Sequence, residues 1–334
     1  MKKILPIIIA VVAVIIVAVV AIVLITGNNT PSADDNNNNT PPVNDNTNNT
    51  PTEKDYNLAI GVVVNNNLTK KETTETVAAI VTDADGKIVL CRFDCIAFTA
   101  KYTDGVLNTT APISKVAQGE AYDSFQPMPA GTWFVQADAL AKSLIGKTQA
   151  EVAAVALNNG YLADADLKAQ CSINVADLMK AVDNAFKSEY KTAFKSTATT
   201  FTAGVAVIGK IADTANDTAK NAKFTADFAA SVLAEGKVVA SILDTAEVEL
   251  KNITEEGAAD AAFKGTKREQ GASYDAYQPM AAGTWYVQAD AYALAANGKT
   301  ATDIDTLATE GVAGCTIVAT GYKQVIAAAV KAAK

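Results

Sequence analysis

An internal duplication constrains this chain more than any other feature of its sequence. Residues 119–139 read GEAYDSFQPMPAGTWFVQADA, residues 271–291 read GASYDAYQPMAAGTWYVQADA, and the two segments agree at 15 of 21 positions. Identity at that level does not arise by chance, so one structural unit has been copied within the chain. Any fold for this chain must therefore accommodate the same unit twice.

The similarity continues beyond this block. Near the C-terminal end of each copy, AQCSINVADLMKAVDNAFK (169–187) corresponds to AGCTIVATGYKQVIAAAVK (313–331). A chain of 334 residues is long for one small domain, and two domains are the usual expectation. We predict two tandem copies of one domain, over residues 56–196 and 197–334.

The N-terminal segment differs in character from the rest. Lys2 and Lys3 precede an uncharged apolar run over residues 4–25, which is long enough to cross a bilayer as a helix. We predict that residues 1–27 are an uncleaved transmembrane signal anchor. The protein would then be a single-pass protein of the cell membrane, with its lysines in the cytoplasm and its C-terminal domains outside. The alternative is a cleaved signal peptide, which would also send the remainder outside.

Residues 28–55 read NNTPSADDNNNNTPPVNDNTNNTPTEKD and contain almost no large apolar side chain. Such a segment cannot bury enough apolar surface to offset the entropy lost on ordering. We predict that it is a disordered tether between the anchor and the duplicated domains.

Each copy places strand-like runs before helix-like ones. In the first copy LAIGVVV (58–64) and KIVLCRFDCIAF (87–98) are typical of strands. Helices are predicted over residues 133–144 and 175–187, and Thr132 is the predicted cap of the first of them. The second copy repeats this order. The pattern predicts an α+β fold in which each copy is an antiparallel sheet covered by helices.

Composition excludes several kinds of chemistry. The chain has no histidine, which rules out a Ser-His-Asp or Cys-His nucleophile pair and an imidazole metal site. No glycine-rich phosphate loop is present. Leaving out Lys2 and Lys3 gives 26 basic against 36 acidic residues, a balance that predicts no nucleic-acid partner. We predict no catalytic residues and no metal site, and expect an electron carrier or a binding module rather than a catalyst.

The four cysteines have no pattern of a disulfide framework. Cys91 and Cys95 lie four residues apart on a predicted strand, which separates them by roughly 13 Å, too far for a disulfide in a straight strand. Cys171 and Cys315 hold equivalent places in the two copies. We therefore expect each of them to have a structural role within its own copy.

The segment EGVAGCTIVATGYKQVIAAAVKAA (310–333) resembles the C-terminal signature of the extracytoplasmic FMN-binding domain family. That family includes flavin-carrying subunits of sodium-pumping NADH:quinone reductases and of Rnf-type electron-transport complexes, and surface flavoproteins of Gram-positive bacteria. Its pattern is Asp-x-x-(Ser/Thr)-Gly-Ala-(Thr/Ser) before an amphipathic helix. The final hydroxyl carries FMN through a phosphoester made by a flavin transferase.

The resemblance implies a role for several residues of the second copy. Glu310 stands at the acidic position, Ala313 at the Ser/Thr, Gly314 at the glycine and Cys315 at the alanine, and Thr316 stands at the flavin-bearing position. A phosphate on a hydroxyl just before a helix would lie near unpaired N–H groups and the positive end of the helix dipole. The resemblance therefore implies covalent FMN on Thr316.

The first copy matches the same pattern less well. Asp166 takes the acidic position and Ser172 the hydroxyl, while Ala169, Gln170 and Cys171 replace the residues between them. Since Gln170 removes the glycine that lets a phosphate approach the backbone, Ser172 is the poorer candidate for flavin attachment.

The duplicated block carries aromatic residues that have two interpretations. In one interpretation they line a candidate ligand cleft for an isoalloxazine or a quinone, and in the other they attach the turn before a helix to the core. Because aromatic residues are core material more often than ligand contacts, the sequence favours the structural interpretation. The candidate cleft residues are Tyr122, Trp133, Tyr274 and Trp285.

Two classes of function follow from these observations. In the first, the chain is a membrane-anchored redox carrier with covalent FMN on Thr316, served by a flavin transferase and a membrane redox donor. In the second, it is a non-redox cell-surface binding module that has lost the flavin. A role as an envelope spacer is a third alternative. A yellow purified protein would distinguish the first class from the others.

Overall fold

The structure of the chain is a computed structural model that describes residues 52–125, 128–216, 219–276 and 280–334. All of them belong to one compact unit. The predicted anchor and residues 28–51 of the predicted tether lie outside the described residues. Among the residues that are described, no helix is long and apolar enough to cross a bilayer.

An N-terminal half (52–196) and a C-terminal half (197–334) each place three long antiparallel strands before their helices, while the shorter strands and helices differ between the two. The strands are β1 (Lys54–Asn67), β2 (Glu72–Asp83), β3 (Ile88–Phe98), β4 (Tyr102–Thr103), β5 (Val106–Leu107), β6 (Leu157–Asn158), β7 (Tyr161–Leu162), β8 (Thr192–Ser196), β9 (Thr202–Asp213), β10 (Ala222–Ala234), β11 (Lys237–Lys251) and β12 (Asp260–Phe263). The helices are α1 (Lys115–Gln118), α2 (Trp133–Ser143), α3 (Gln149–Ala153), α4 (Ala165–Gln170), α5 (Ala176–Lys187), α6 (Lys267–Gln270), α7 (Ala272–Asp275), α8 (Trp285–Leu294) and α9 (Thr320–Lys331), with 3-10 turns at Gly119–Phe125 and Ile304–Thr306.

Two antiparallel four-stranded sheets form the centre of the fold. Their strand orders are β3-β2-β1-β8 and β12-β11-β10-β9. Tight turns connect the long strands, and Glu235 and Gly236 between β10 and β11 both adopt positive φ angles, 50° and 75°, as a two-residue hairpin turn requires. The predicted α+β class with antiparallel sheets is confirmed.

The two sheets pack face to face and share one apolar core. Alternate side chains of β1, β2 and β3 meet those of β9, β10 and β11, as the two-residue period of a strand dictates. Phe98 stacks on Phe224 with 5.0 Å between ring centroids. Each half therefore buries the inner face of its sheet against the other half.

Helices cover the outer face of each sheet. In the N-terminal half α2 and α5 bury their apolar side chains against β1, β2 and β3, and in the C-terminal half α8 and α9 do the same over β9, β10 and β11. Gly61 on β1 and Gly204 on β9 allow this close packing, because a Cβ at either position would overlap the backbone of α5 or α9. The layers run helix, sheet, sheet, helix.

One boundary of the sequence prediction is wrong. The predicted tether ran to residue 55, but Lys54 and Asp55 are the first residues of β1 and pair with Ser196 and Lys195 of β8. These residues have no apolar pattern of their own, so only pairing with a strand about 140 residues away in the sequence draws them into the sheet.

Candidate functional site in the C-terminal half

Thr316 lies in an exposed loop, four residues before α9 begins at Thr320. Its backbone N–H and its hydroxyl both donate to Oε1 of Gln288, at 2.7 and 2.8 Å. Gln288 is fully buried on α8, and its Nε2 donates to the Gly283 carbonyl at 2.8 Å. One glutamine side chain therefore holds the loop that carries the candidate attachment residue.

The N-terminal half repeats this arrangement with Ser172. The backbone N–H and hydroxyl of Ser172 donate to Gln136 Oε1 at 2.7 and 3.0 Å, and Gln136 Nε2 donates to the Gly131 carbonyl at 2.7 Å. Neither glutamine belongs to the sequence motif, and neither is predicted from it. One feature of the sequence does point to them: both copies have a glutamine at the same position, and the helical pattern places that position on a buried face among alanines.

The other residues of the motif differ in how close they lie to Thr316. Gly314 adopts a φ of 77°, in the left-handed region that favours glycine, and a Cβ there would lie 3.2 Å from Cβ of Ala291. Cys315 is partly buried, and burial raises the pKa of its thiol. Glu310 is exposed and does not line the cleft described below. The structure therefore brings Gly314 and Cys315 beside Thr316 but gives Glu310 no role there.

The corresponding residues of the N-terminal half form a different local structure. Asp166 is exposed in the first turn of α4, and Gln170 is the last residue of that helix. Cys171 is buried in the core, which raises the pKa of its thiol to about 11. Ser172 thus follows a helix, whereas Thr316 follows a glycine turn.

The predicted aromatic cleft residues of each half lie around one lysine, and in the C-terminal half the two rings are also in contact. Tyr274 and Trp285 lie edge to face with 6.4 Å between centroids, and Lys267 Nζ lies 4.8 and 5.3 Å from those two centroids. In the N-terminal half the ammonium is that of Lys115, which lies 4.9 Å from the ring of Tyr122 and 5.2 Å from that of Trp133. Cation–π attraction therefore accounts for part of the repeated aromatic pattern.

Lys267 keeps its charge although its side chain is only 9% exposed. Burial by itself would lower its pKa, but the neighbouring Tyr322 and Tyr274 hydroxyls and the Glu247 carboxylate outweigh burial and hold the pKa above its usual value. Glu247 Oε1 lies 3.5 Å from Lys267 Nζ. Each aromatic pair thus contacts a lysine ammonium, and in the C-terminal half this lysine is buried and paired with a carboxylate.

An open cleft of about 510 Å³ in the C-terminal half is lined by residues of both the attachment motif and the aromatic block. Tyr274, Trp285 and Thr316 all line it, although Thr316 is distant from the other two in sequence. The remaining lining residues are Lys210, Asp227, Lys267, Met280, Ile317, Val318, Thr320, Gly321 and Tyr322. The attachment motif and the aromatic block, which were separate hypotheses, therefore share one site.

A chain of polar contacts runs along this cleft. Trp285 Nε1 donates to the Tyr322 hydroxyl at 3.2 Å, and burial raises the pKa of Tyr322. Thr245 donates its hydroxyl to Asp227 Oδ1 at 2.8 Å. Asp227 Oδ2 then lies 3.0 Å from Lys210 Nζ; the Asp227 side chain is 3% exposed and the Lys210 side chain 59%. The Tyr322 hydroxyl also hydrogen-bonds to the Thr245 side chain, so these polar contacts connect the aromatic pair to the solvent-facing ammonium of Lys210.

The prediction that a threonine side chain caps the repeated helix is wrong. Thr132 and Thr284 occupy the N-cap positions of α2 and α8, but their hydroxyls are buried without a hydrogen-bond partner. Asp275 Oδ1 instead accepts from the Trp285 N–H at 3.0 Å, and Asp123 serves α2 in the same way. In each half, the aspartate ten residues before the tryptophan therefore replaces the threonine as the cap of the helix.

In the part of the chain that the structure describes, no group of three or more acidic or cysteine side chains is arranged to hold a metal ion. Comparisons with protein-family models, with curated protein sequences and with solved structures give no significant match.

Proposed function

We propose that this chain is a membrane-anchored extracytoplasmic flavoprotein, built from two tandem copies of an FMN-binding-like domain, that carries FMN on Thr316. The observation that supports the proposal is the cleft. Thr316 lies on it together with Tyr274 and Trp285, which are 42 and 31 residues away in the sequence. Residues 4–25 would anchor the protein, and a flavin transferase and a membrane redox donor would be its partners.

The residues of the cleft fit a flavin nucleotide. Its volume of about 510 Å³ lies within the usual range of sites for small molecules and cofactors. Met280 and Ile317 offer apolar surface to a ring system, and Lys210 offers a cation to a phosphate. Bound FMN would supply electron transfer in one- or two-electron steps, while the chain holds and orients it.

Attachment would change one contact that the structure records. In attachment, the Thr316 hydroxyl oxygen would bond to the FMN phosphorus of a flavin dinucleotide donor while the anhydride bond of the donor breaks and a nucleoside monophosphate leaves. The hydroxyl proton is lost in this step, and with it the hydrogen bond from Oγ1 to Gln288. The Thr316 N–H still donates to Gln288 Oε1, which keeps the loop in place. The exposed position of Thr316 gives a transferase access to the hydroxyl.

The test is the intact mass of residues 52–334 produced with and without a co-expressed flavin transferase. We expect one FMN-sized addition that requires the transferase, disappears in Thr316→Ala and persists in Ser172→Ala. Loss of the addition in Ser172→Ala, with retention in Thr316→Ala, would reverse the assignment of the two halves. An unmodified and colourless folded protein would overturn the proposal.

A second candidate is a non-redox binding module, and one observation favours it. Lys267 already lies against both aromatic rings, so those rings are satisfied without a ligand. In this case the cleft would bind a freely diffusing molecule, and the purified protein would be colourless but would change its tryptophan fluorescence with a ligand.

The location of the protein is tested separately from its cofactor. With residues 1–27 in place, we propose that the protein fractionates with membranes and that protease added outside the cell removes the duplicated domains. Release of the intact chain into the medium would support the cleaved signal instead.

A further inference from the structure

The two halves act as an internal comparison for the cleft. Each sheet has one bulge, in which β3 or β11 carries an extra residue, so the pairing shifts after Val81 of β2 and after Val232 of β10. Counting five residues back from each bulge aligns Thr76 with Asp227, and their partners on the next strand are Cys95 and Thr245.

The same alignment identifies the counterpart of Lys210. Lys210 pairs with Thr225 in the second sheet, and Asn65 pairs with Thr74 in the first. Thr225 and Thr74 both lie seven residues before their bulges, so Asn65 is equivalent to Lys210. The lysine and the aspartate of the C-terminal cleft therefore stand where the N-terminal half has asparagine and threonine.

The polar contacts built on these positions differ between the halves. In the N-terminal half Thr76 donates to Cys95 Sγ at 3.6 Å, a weak contact between uncharged groups. In the C-terminal half the equivalent pair is Thr245 and Asp227, joined at 2.8 Å, with the Lys210 ammonium on the other carboxylate oxygen. Because the N-terminal half folds with uncharged groups at these positions, the fold itself does not require the buried Asp227 carboxylate of the C-terminal half.

The Lys210 ammonium lies at the beginning of α9. Gly321 is the second residue of that helix, and a Cβ there would lie 3.0 Å from Asp227 Oδ2 and 3.3 Å from Lys210 Nζ. The equivalent second residue of α5 is Asp177, which accepts from Asn65 at 3.5 Å. The C-terminal half thus has a glycine and an exposed cation where the N-terminal half has a carboxylate.

We propose that Lys210, held in place by Asp227, is the residue that pairs with the phosphate of the ligand in the C-terminal cleft, and that the N-terminal half has no such site. Asp227 uses one direction of the ammonium, and the exposure of Lys210 leaves its other N–H groups free to donate to an anion. The partial positive charge at the first turn of α9 adds to the attraction.

The ligand class is therefore an aromatic group that carries a phosphate. This inference rests on the proposed function only for the identity of the ring system, since Lys210 would recognise the phosphate whether the flavin is esterified to Thr316 or free. For this reason the test uses free FMN and free riboflavin, which differ by the phosphate alone.

The two tryptophans of the chain make the site directly observable. Trp133 lies in the N-terminal half and Trp285 in the C-terminal cleft. In Trp133→Phe the remaining fluorescence reports on the C-terminal cleft, and in Trp285→Phe it reports on the N-terminal half. We expect FMN to quench the first variant at lower concentration than riboflavin does, and to leave the second unaffected in the same range.

Substitutions at Lys210 then test the proposal, in the Trp133→Phe background without transferase. Lys210→Met should weaken FMN binding about tenfold, the loss expected for one charge-assisted hydrogen bond, and leave riboflavin unchanged. The paired change Lys210→Asn with Asp227→Thr installs the residues of the N-terminal half and leaves no buried charge unpaired. It should fold and should also lose the preference for FMN.

Lys251→Met is the matched control, because Lys251 is a partly exposed lysine that pairs with Glu249 at 3.5 Å, and neither residue lines the cleft. It should bind FMN as the parent does. Equal affinities for FMN and riboflavin in the parent, or an unchanged preference in the folded Lys210→Asn, Asp227→Thr variant, would overturn the inference.

The outcomes separate this inference from the proposed function. A Lys210-dependent preference for FMN in a chain that gains no mass with the transferase would retain the phosphate site and reject covalent attachment. An FMN-sized addition at Thr316, together with no effect of the Lys210 substitutions, would support covalent attachment and reject the phosphate site.

Discussion

Gln288 accepts both hydrogen bonds that Thr316 offers, at 2.7 Å from its N–H and 2.8 Å from its hydroxyl. Ser172 donates in the same way to Gln136. The glutamine is thus a structural member of the candidate attachment site, even though it is not part of the sequence motif.

The first prediction concerns the stability that this glutamine contributes. Gln288→Ala removes three hydrogen bonds and leaves the Gly283 carbonyl unpaired, so we expect a loss of about 2 to 4 kcal/mol in the free energy of unfolding. Gln136→Ala should cost a similar amount. Urea unfolding followed by circular dichroism measures both. Gln118→Ala, which removes one surface hydrogen bond, is the control and should change little.

The second prediction separates the two groups at the start of α8. Asp275→Ala removes the acceptor of the Trp285 N–H and should destabilise the protein by about 1 to 2 kcal/mol. Thr284→Val removes a hydroxyl that is buried without a partner, so it should be neutral or stabilising. Thermal unfolding of both variants gives the comparison. A larger loss in Thr284→Val than in Asp275→Ala would show that the threonine is the true cap.

The third prediction is a pH dependence that originates at Glu75. This side chain is fully buried and neither carboxylate oxygen has a hydrogen-bond partner; burial first, and Asp227 second, raise its pKa well above the usual value. The folded state therefore keeps Glu75 protonated when the unfolded chain has already ionised. Stability is fully present below pH of about 4 and falls as the pH rises, by about 1.4 kcal/mol per unit, until the folded pKa is reached.

Glu75→Gln should remove this part of the pH dependence. We expect the variant to be more stable than the parent at pH 7 and nearly equal to it at pH 4, measured by urea unfolding at both values. Asp94 and Asp244, whose burial raises their pKa to about 6, add a loss of stability of their own as the pH rises towards that value, and this loss is common to both proteins. Glu256→Gln, at an exposed position, serves as the control. An equal change at both pH values would indicate a packing effect instead.

The fourth prediction follows from the core that the two sheets share. Leu58 and Phe228 are completely buried in it, and each half alone would expose the inner face of its sheet. We expect residues 52–196 and 197–334 to self-associate or precipitate when produced separately, and to form a soluble one-to-one complex when produced together. Size-exclusion chromatography with light scattering measures this. A stable monomer of either half would show that the halves fold independently.

Much of the fold can be predicted from the sequence because the relevant patterns are local. Alternation along LAIGVVV predicts β1, and the spacing of apolar residues over 175–187 predicts α5, since side-chain direction repeats every 2 residues in a strand and about every 3.6 in a helix. The duplication predicts that the two halves share their main elements, and both do form three long strands followed by helices.

The site depends on contacts between residues that are far apart in the sequence, and no local pattern specifies those. Gln288 meets Thr316, Lys267 lies between Tyr274 and Trp285, and these contacts exist only after α8 has packed on the second sheet. The sequence alone determined the duplication, the α+β class and the absence of histidine chemistry. Only the tertiary structure decided that Lys210 and Asp227 border the same cleft as Thr316, because packing of α9 over β9 and β10 brings those elements together.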